Sequence, residues 1–214
     1  MNTARAARIR TTACLLAVSV SPVSLAYGAE VQFLSVARDG KDYSISASFV
    51  IDGCVSAVRE VFTDFAALMR LNPSVSESAQ LQRSTDDALV TTTLHECVLF
   101  FCEDLVMVAE MRRTQSGSLT ASVLPGYGDF SAGWAQWRFV GLGAQTQVIY
   151  DGQMHVERRL PPLFGPRIVR RSLEKNLRAT VVNAERLAAG PDTEEEIDLP
   201  AETCSPSADI GDSR

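Results

Sequence analysis

The sequence predicts an α+β fold in which one curved antiparallel sheet wraps around a long C-terminal helix. The first observation is a segment from Leu163 to Ala189 where apolar residues recur every three or four positions, as on one helical face. The second is the order of the preceding segments: a strand, two short helices and about six strands. Strands and helices do not alternate, which argues against a parallel, doubly wound sheet.

The first 28 residues have the composition of a cleaved Sec signal peptide. Arg5, Arg8 and Arg10 precede a short apolar stretch, and Ala26 and Gly28 place small residues where signal peptidase requires them. The apolar stretch is too short to span a membrane. We therefore expect an exported protein, located in the periplasm or secreted.

The rest of the chain divides into one domain, residues 29–189, and an acidic tail, residues 190–214. About 160 residues are enough for a single hydrophobic core. The tail has eight acidic residues against one arginine and few large apolar residues, which predicts disorder. The domain itself is nearly neutral, so we expect no nucleic-acid partner.

The sheet is predicted from the alternation of apolar and polar residues. Tyr43 to Ile51 alternate with serines, the pattern of a strand with one buried face, and residues 31–36 form a weaker leading strand. A helical segment, residues 54–71, ends before Pro73. The later strands are predicted at residues 75–82, 88–98, 104–112, 119–123, 135–139 and 145–157. Their short connections indicate an antiparallel meander with one face exposed to water.

Four cysteines remain after removal of the signal peptide, and export places them in an oxidising compartment. Cys97 and Cys102 face each other at bonding distance if residues 98–101 form a hairpin loop. We predict this disulfide, since their spacing matches neither thiol oxidoreductases nor zinc knuckles. Cys54 and Cys204 are left over, and their pairing stays open.

The sequence has none of the common catalytic motifs. GxSxG, HExxH, the P-loop and the dinucleotide-binding glycine pattern are all absent. His155 lies on the predicted outer face of the last strand. His95 adjoins Glu96, and an acid–base or metal pair there remains the alternative, although neighbours on a strand point to opposite faces. We expect no catalytic residues, no metal and no cofactor.

Small residues cross the middle of the predicted inner face of the sheet. They are Ala47, Ala109, Ala121, Ala135 and Gly152. Such a belt leaves volume between the sheet and the helix, and an unfilled void costs about 24 cal/mol per Å³. The volume is therefore either filled by close helix packing or kept for an apolar ligand.

The span from about Tyr43 to Ala189 resembles the START-like helix-grip superfamily (SRPBCC; polyketide cyclase/dehydrase and lipid transport), in particular its exported bacterial members. The matching segments are the strand from Tyr43 to Ala47, Val61–Phe65, Leu71–Val75, Cys97–Cys102, Gly128–Trp134, the strand containing Trp137 and Leu160–Phe164. The resemblance implies a seven-stranded sheet wrapped on the C-terminal helix over a deep apolar cavity. It also implies a lipid, sterol, quinone or polyketide ligand, or the cyclase or hydratase activity of a minority of members.

The belt and the resemblance together predict a cavity for a small hydrophobic ligand. The residues expected to line it are Phe62, Phe65, Met69, Met107, Ala109, Ala121, Trp137, Phe139, Tyr150, Gly152, Val169, Leu173 and Leu177. Leu99, Phe100 and Phe101 are predicted as a gate or membrane contact, with a loop folded back on the core as the alternative. Arginines where the helix begins either meet anionic headgroups in a transient membrane-surface contact or are solvated.

The leading hypothesis is thus an exported, monomeric carrier rather than an enzyme, and two alternatives stay open. One is a cyclase- or dehydratase-like enzyme with His95, Glu96 or Tyr150 as acid–base, which a polar pair inside the cavity would support. The other is a ligand-free interaction module in which the cavity has collapsed.

Overall fold

The computed structural model describes residues 30–98, 101–157 and 166–190. The elements in chain order are β1 (Glu30–Asp39), β2 (Asp42–Asp52), α1 (Val55–Thr63), α2 (Leu68–Leu71), β3 (Val75–Arg83), β4 (Asp87–Val98), β5 (Phe101–Arg113), β6 (Leu119–Val123), β7 (Phe130–Leu142), β8 (Gln145–Val156) and α3 (Pro166–Ala188). The predicted signal peptide and the predicted tail beyond Gly190, including Cys204, lie outside the described residues. So do Leu99, Phe100 and the side chain of Phe101.

The strands form one antiparallel sheet in the order β1-β2-β8-β7-β6-β5-β4-β3. The predicted meander is confirmed, because neighbours from β3 to β8 are consecutive in sequence. Strand β2 joins β8 with an uninterrupted register from Asp42 opposite His155 to Asp52 opposite Gln145. The strand predicted from Tyr43 to Ile51 therefore lies beside the last strand, and among the strands of the sheet the long helix packs closest to β1 and β2.

The described sheet has eight strands, which corrects the seven that the resemblance implies. The additional strand is β1, which extends the sheet beyond β2 after a turn in which Gly40 has a φ of 59°. A positive φ of this size favours glycine. The inner face of β1 buries Leu34, with Val31 and Val36 packed beside it, and this burial holds the strand on the edge of the sheet.

Two short helices occupy the segment predicted to be helical between β2 and β3. Helix α1 is amphipathic and buries Val58 and Phe62. Helix α2 ends where the Asn72 N–H donates to the Leu68 carbonyl at 2.8 Å. Pro73 follows, and the residue before a proline is disfavoured in helical conformation.

The predicted long helix is confirmed as α3, which has 23 residues. Proline at its first position sacrifices no intrahelical hydrogen bond. Gly190, with a φ of 80°, follows its end, as is common just past a helix C-terminus. Among the described residues, no helix combines the length and the apolar composition needed to cross a bilayer.

The tightest packing lies at one end of the domain, which we call the packed end. Its centre consists of Ile51, Val58, Val148, Val181 and Ala184, all with 0% of their surface exposed. They come from β2, α1, β8 and the C-terminal half of α3, so four elements meet there. The aromatic rings of Phe49, Phe62 and Phe139 pack at its margin.

Candidate functional site

A cavity of about 370 Å³ lies between the concave face of the sheet and α3. Its wall is mostly apolar and takes side chains from all eight strands of the described sheet and from all three described helices. Small-molecule sites in proteins have volumes of about 300–1,000 Å³ and predominantly apolar walls. The cavity is therefore large enough for a small organic molecule.

The helical wall of the cavity is the N-terminal half of α3. Val169, Leu173 and Leu177 line it and are only partly buried, because they face open space. One turn further on, Thr180 donates its hydroxyl to the Asn176 carbonyl of the same helix at 2.9 Å. Beyond it, Val181 begins the packed end. The same apolar stripe thus borders a cavity in one half and a solid core in the other.

A cross-strand row of small residues runs beneath the cavity, and Ala121 and Ala135 form the cavity floor. Ala121 lies opposite Ala135, and Ala135 lies opposite Gly152. The next row toward the packed end contains Trp137 and Tyr150, whose ring centroids are 5.1 Å apart. The Tyr150 hydroxyl covers Gly152, whereas the volume above Ala121 and Ala135 stays open as part of the cavity. We call this row, with Val169, Leu173 and Leu177 above it, the hollow end.

The structure brings together nine of the thirteen residues predicted to line the cavity. They are Phe62, Met107, Ala109, Ala121, Trp137, Tyr150, Val169, Leu173 and Leu177. The other four lie elsewhere, which corrects their expected placement. Met69 is 45% exposed, because α2 turns Leu68 and Leu71 inward instead. Phe65 is buried in a neighbouring cluster, Phe139 packs edge-on against Phe62, and Gly152 lies beneath the Tyr150 hydroxyl.

One polar cluster interrupts the apolar wall. Glu96 of β4 accepts hydrogen bonds from the Ser74 hydroxyl at 2.6 Å and from the Asn176 amide at 3.2 Å, both on Oε1. The Ser172 hydroxyl donates to Oε2 at 2.9 Å. The Asn176 amide also donates to the Ser74 Oγ. All four side chains belong to the cavity wall.

Three separate segments assemble this cluster. Ser74 is placed by the turn before β3, where its N–H donates to Asn72 Oδ1 at 3.0 Å and its carbonyl accepts from the His95 N–H at 2.7 Å. Ser172 and Asn176 are four positions apart, so they share one face of α3. Glu96 was considered from the sequence as half of a pair with His95. Its true partners were not predicted, since no local pattern links them.

His95 points away from the cavity, as alternation along β4 requires. Its Nδ1 lies 2.6 Å from Asp104 Oδ1, and its Nε2 lies 3.3 Å from Cys97 Sγ. The structure contains the Cys97–Cys102 disulfide, because β4 and β5 place the two residues directly opposite each other with their Cα atoms 4.0 Å apart. His95 and Glu96 therefore do not form an acid–base pair.

The sulfur atoms and the neighbouring imidazole do not amount to a metal site. Within the described ranges, His95, Cys97 and Cys102 are the only residues whose potential ligand atoms cluster in a group of three. Their two sulfur atoms are bonded to each other and offer no thiolate. Cys54, just before α1, is disulfide-bonded as well. The second histidine, His155, lies on the outer face as expected, 2.9 Å from Asp42 Oδ1.

Tyr150 is a further ionisable residue of the cavity wall. Burial, with a smaller contribution from the charge of Asp151, raises the pKa of Tyr150 to about 12. Removing its proton would place a phenolate in an apolar environment, which is costly. At neutral pH, Tyr150 therefore presents a neutral hydroxyl beside the Trp137 ring.

Comparison with known proteins places these features in a family. Residues 42–189 match the family model described as polyketide cyclase / dehydrase and lipid transport. The fold is similar to that of the Zhui aromatase/cyclase from Streptomyces sp. R1128, with a TM-score of 0.56 and 14% identity over 69% of this chain and 94% of that one. A search of curated proteins returns no match.

Two further solved structures share the fold. A START superfamily protein from Mycobacterium smegmatis has a TM-score of 0.53 and 16% identity over 68% of this chain and 97% of that one. A STAR-related lipid transfer protein from Xanthomonas axonopodis has a TM-score of 0.50 and 17% identity over 71% of this chain and 98% of that one. The family model covers more than half of the sequence, and the fold agrees with it. The chain therefore belongs to the polyketide cyclase / dehydrase and lipid transport family, and it has the START-like helix-grip fold.

Proposed function

We propose that the protein is an exported carrier that holds a small hydrophobic ligand between its sheet and α3. The observation that carries the proposal is the cavity of about 370 Å³ with a mostly apolar wall. The family to which the chain belongs binds small hydrophobic ligands, which supports the same function. A collapsed cavity, which a ligand-free module would require, is not what the described residues form.

The size of the cavity also favours an occupant. Apolar side chains that face such a space lack van der Waals partners on one side. A bound apolar molecule would restore the lost van der Waals contacts.

Export is proposed from two independent features. The first 28 residues have the composition of a signal peptide. The Cys97–Cys102 bond is of a kind that persists in oxidising compartments and is rare in the cytosol. A carrier in the periplasm or outside the cell agrees with both.

The proposal is tested by isolating the exported protein and extracting it with organic solvent for mass spectrometry. We expect a co-purifying hydrophobic molecule, or saturable binding of a neutral fluorescent probe such as N-phenyl-1-naphthylamine. The variant Ala121→Leu should weaken probe binding about tenfold, because its side chain enters the cavity. Ala79→Leu, at an exposed position of β3, is the matched control and should bind like the wild type. A protein that yields no ligand and binds no probe contradicts the proposal.

A cyclase- or dehydratase-like enzyme is the second candidate, because Glu96 and Tyr150 both lie in the cavity wall. His95, the third residue considered for this role, does not line the cavity. The same extraction separates the two functions. A ligand recovered unchanged after incubation indicates a carrier, and conversion that is lost in Glu96→Gln indicates an enzyme.

A further inference from the structure

The polar cluster around Glu96 divides the cavity into two chemical regions. Among the described residues of the wall, Glu96 is the only Asp, Glu, Lys, Arg or His. The remaining wall consists of aliphatic and aromatic side chains with a few neutral polar groups. An occupant would therefore meet one carboxyl group and an otherwise apolar surface.

The hydrogen bonds around Glu96 show what this carboxyl group can still bind. An ionised carboxylate has about four acceptor positions and no donor. Ser74 and Asn176 both donate to Oε1, and Ser172 donates to Oε2. Within the described part of the chain, three positions are therefore filled, all by neutral donors, and one position on Oε2 is left.

Among the described residues, no basic side chain forms an ion pair with the Glu96 carboxylate. None of the ion pairs between described residues includes Glu96. The arginines near the start of α3, Arg167, Arg170 and Arg171, are exposed and do not line the cavity. A partly buried charge without a counter-ion is best stabilised by a further hydrogen-bond donor or by a cation.

A second feature of β4 also points to a polar contact with an occupant. Thr92 lies on the same inner face as Glu96 and belongs to the wall, and only 5% of its surface is exposed. Its hydroxyl oxygen has no hydrogen-bond partner among the described residues. Buried hydroxyl groups are normally paired. The strand therefore offers two polar side chains whose hydrogen-bonding capacity is not fully used inside the protein.

We infer that the cavity selects amphiphiles whose headgroup donates a hydrogen bond, an amine or a hydroxyl, and places that headgroup against Glu96. This inference rests on the proposed carrier function and adds the ligand class to it. An acidic headgroup is disfavoured, because its negative charge would repel the Glu96 carboxylate more strongly in the partly buried cavity than in water. The apolar chain of the ligand extends toward Ala121 and Ala135.

The experiment compares three ligands that share one chain: dodecylamine, dodecanol and dodecanoate. Each displaces N-phenyl-1-naphthylamine from the exported protein at neutral pH. We expect the amine and the alcohol to bind at least tenfold more tightly than dodecanoate. If dodecylamine binds more tightly than dodecanol, charge pairing with Glu96 is the main contact. If the two bind with equal affinity, the hydrogen bond to Glu96 is the main contact.

The matched variants are Glu96→Gln and Glu77→Gln, the latter at an exposed position of β3. Glu96→Gln should improve dodecanoate binding and reduce the discrimination to less than about threefold, whereas Glu77→Gln should leave it unchanged. The difference in affinity between dodecanoate and the other two ligands is measured on the wild-type protein. It therefore tests the inference even if Glu96→Gln does not fold.

The outcomes separate the two proposals. Three ligands that bind equally well, with no effect of Glu96→Gln, overturn the headgroup site and leave the carrier function intact. Stronger binding of dodecanoate overturns the headgroup site as well. A wild-type protein that binds neither the probe nor any of the three ligands overturns the carrier function together with the inference.

Discussion

The two halves of α3 share one hydrophobic period and have different surroundings. In the C-terminal half, Val181 and Ala184 are completely buried against β2, β8 and α1. In the N-terminal half, Val169, Leu173 and Leu177 are partly exposed to a cavity. The difference comes from the sheet. Opposite the packed end it presents Phe49, Phe139 and other large side chains, and opposite the hollow end it presents alanine and glycine.

This contrast shows that helical periodicity identifies the inward face and does not reveal what that face contacts. A residue in the packed end stabilises the fold in proportion to the neighbours that it touches. A residue in the hollow end contributes less to the fold and has surface free for a ligand. One half of α3 therefore mainly stabilises the fold, and the other half leaves surface available for binding.

Truncating one side chain in the packed end and one in the hollow end gives the largest expected difference in the free energy of unfolding. Ile51→Ala, in the packed end, should lower the free energy of unfolding by about 2–5 kcal/mol, because a fully enclosed side chain leaves a new cavity. Leu173→Ala, in the hollow end, should cost less than about 2 kcal/mol, since part of its side chain already lacks neighbours. Urea unfolding of both ligand-free variants measures the difference. Equal losses would show that the two halves of α3 are packed alike.

Tyr150 lies at the boundary between the packed end and the hollow end, and its titration makes the stability of the protein depend on pH. Its pKa of about 12 in the folded protein lies above the usual value of 10, so folding favours the neutral phenol. The corresponding stability, about 2–3 kcal/mol for two pKa units, is complete below pH 10 and is lost as the pH rises toward 12.

Unfolding measured between pH 9 and about 12 should therefore show a steeper loss in the wild type than in Tyr150→Phe. Tyr127→Phe is the control, because Tyr127 is 68% exposed. If Tyr127→Phe flattens the profile as much as Tyr150→Phe does, the burial of Tyr150 is not the cause.

The Cys97–Cys102 disulfide lies near the cavity and away from the packed end, since Cys97 directly follows Glu96 on β4. Replacing both cysteines by serine should cost about 2 kcal/mol, the value expected for closing a short loop. Hydrogen exchange should become faster around the tip of β4 and β5 and remain unchanged in the packed end. The reduced wild-type protein should behave like the double variant. Exchange that accelerates uniformly over the chain would mean that the disulfide supports the whole fold.

Much of the fold could be predicted from the sequence because periodicity is a local property. The serine alternation after Tyr43 and the three-to-four spacing after Pro166 each determine an element and its inner face. The row of Ala121, Ala135 and Gly152 followed from the same alternation, and the observed register brings its members side by side. Strand β1 was only weakly indicated, since its polar residues are interrupted by the exposed Phe33.

The polar cluster could not be predicted, because it depends on contacts between distant segments. Ser74 is 22 positions from Glu96, and Ser172 is 76 positions away. Nothing in either neighbourhood distinguishes these serines from others in the chain. The one available signal was β4 itself, whose inner face carries Thr92 and Glu96 among apolar residues. A polar residue that breaks an inward apolar pattern is a reason to look for a site there.

The small-residue row has a consequence for how ligand preference can change over time. Ala121 and Ala135 lie in the middle of paired strands, away from the turns and away from the packed end. Enlarging either side chain shortens the space available to a ligand without altering strand pairing or the anchoring of α3. In the carrier proposed above, ligand length can thus change through single substitutions at these two positions, without changes to the residues that stabilise the fold.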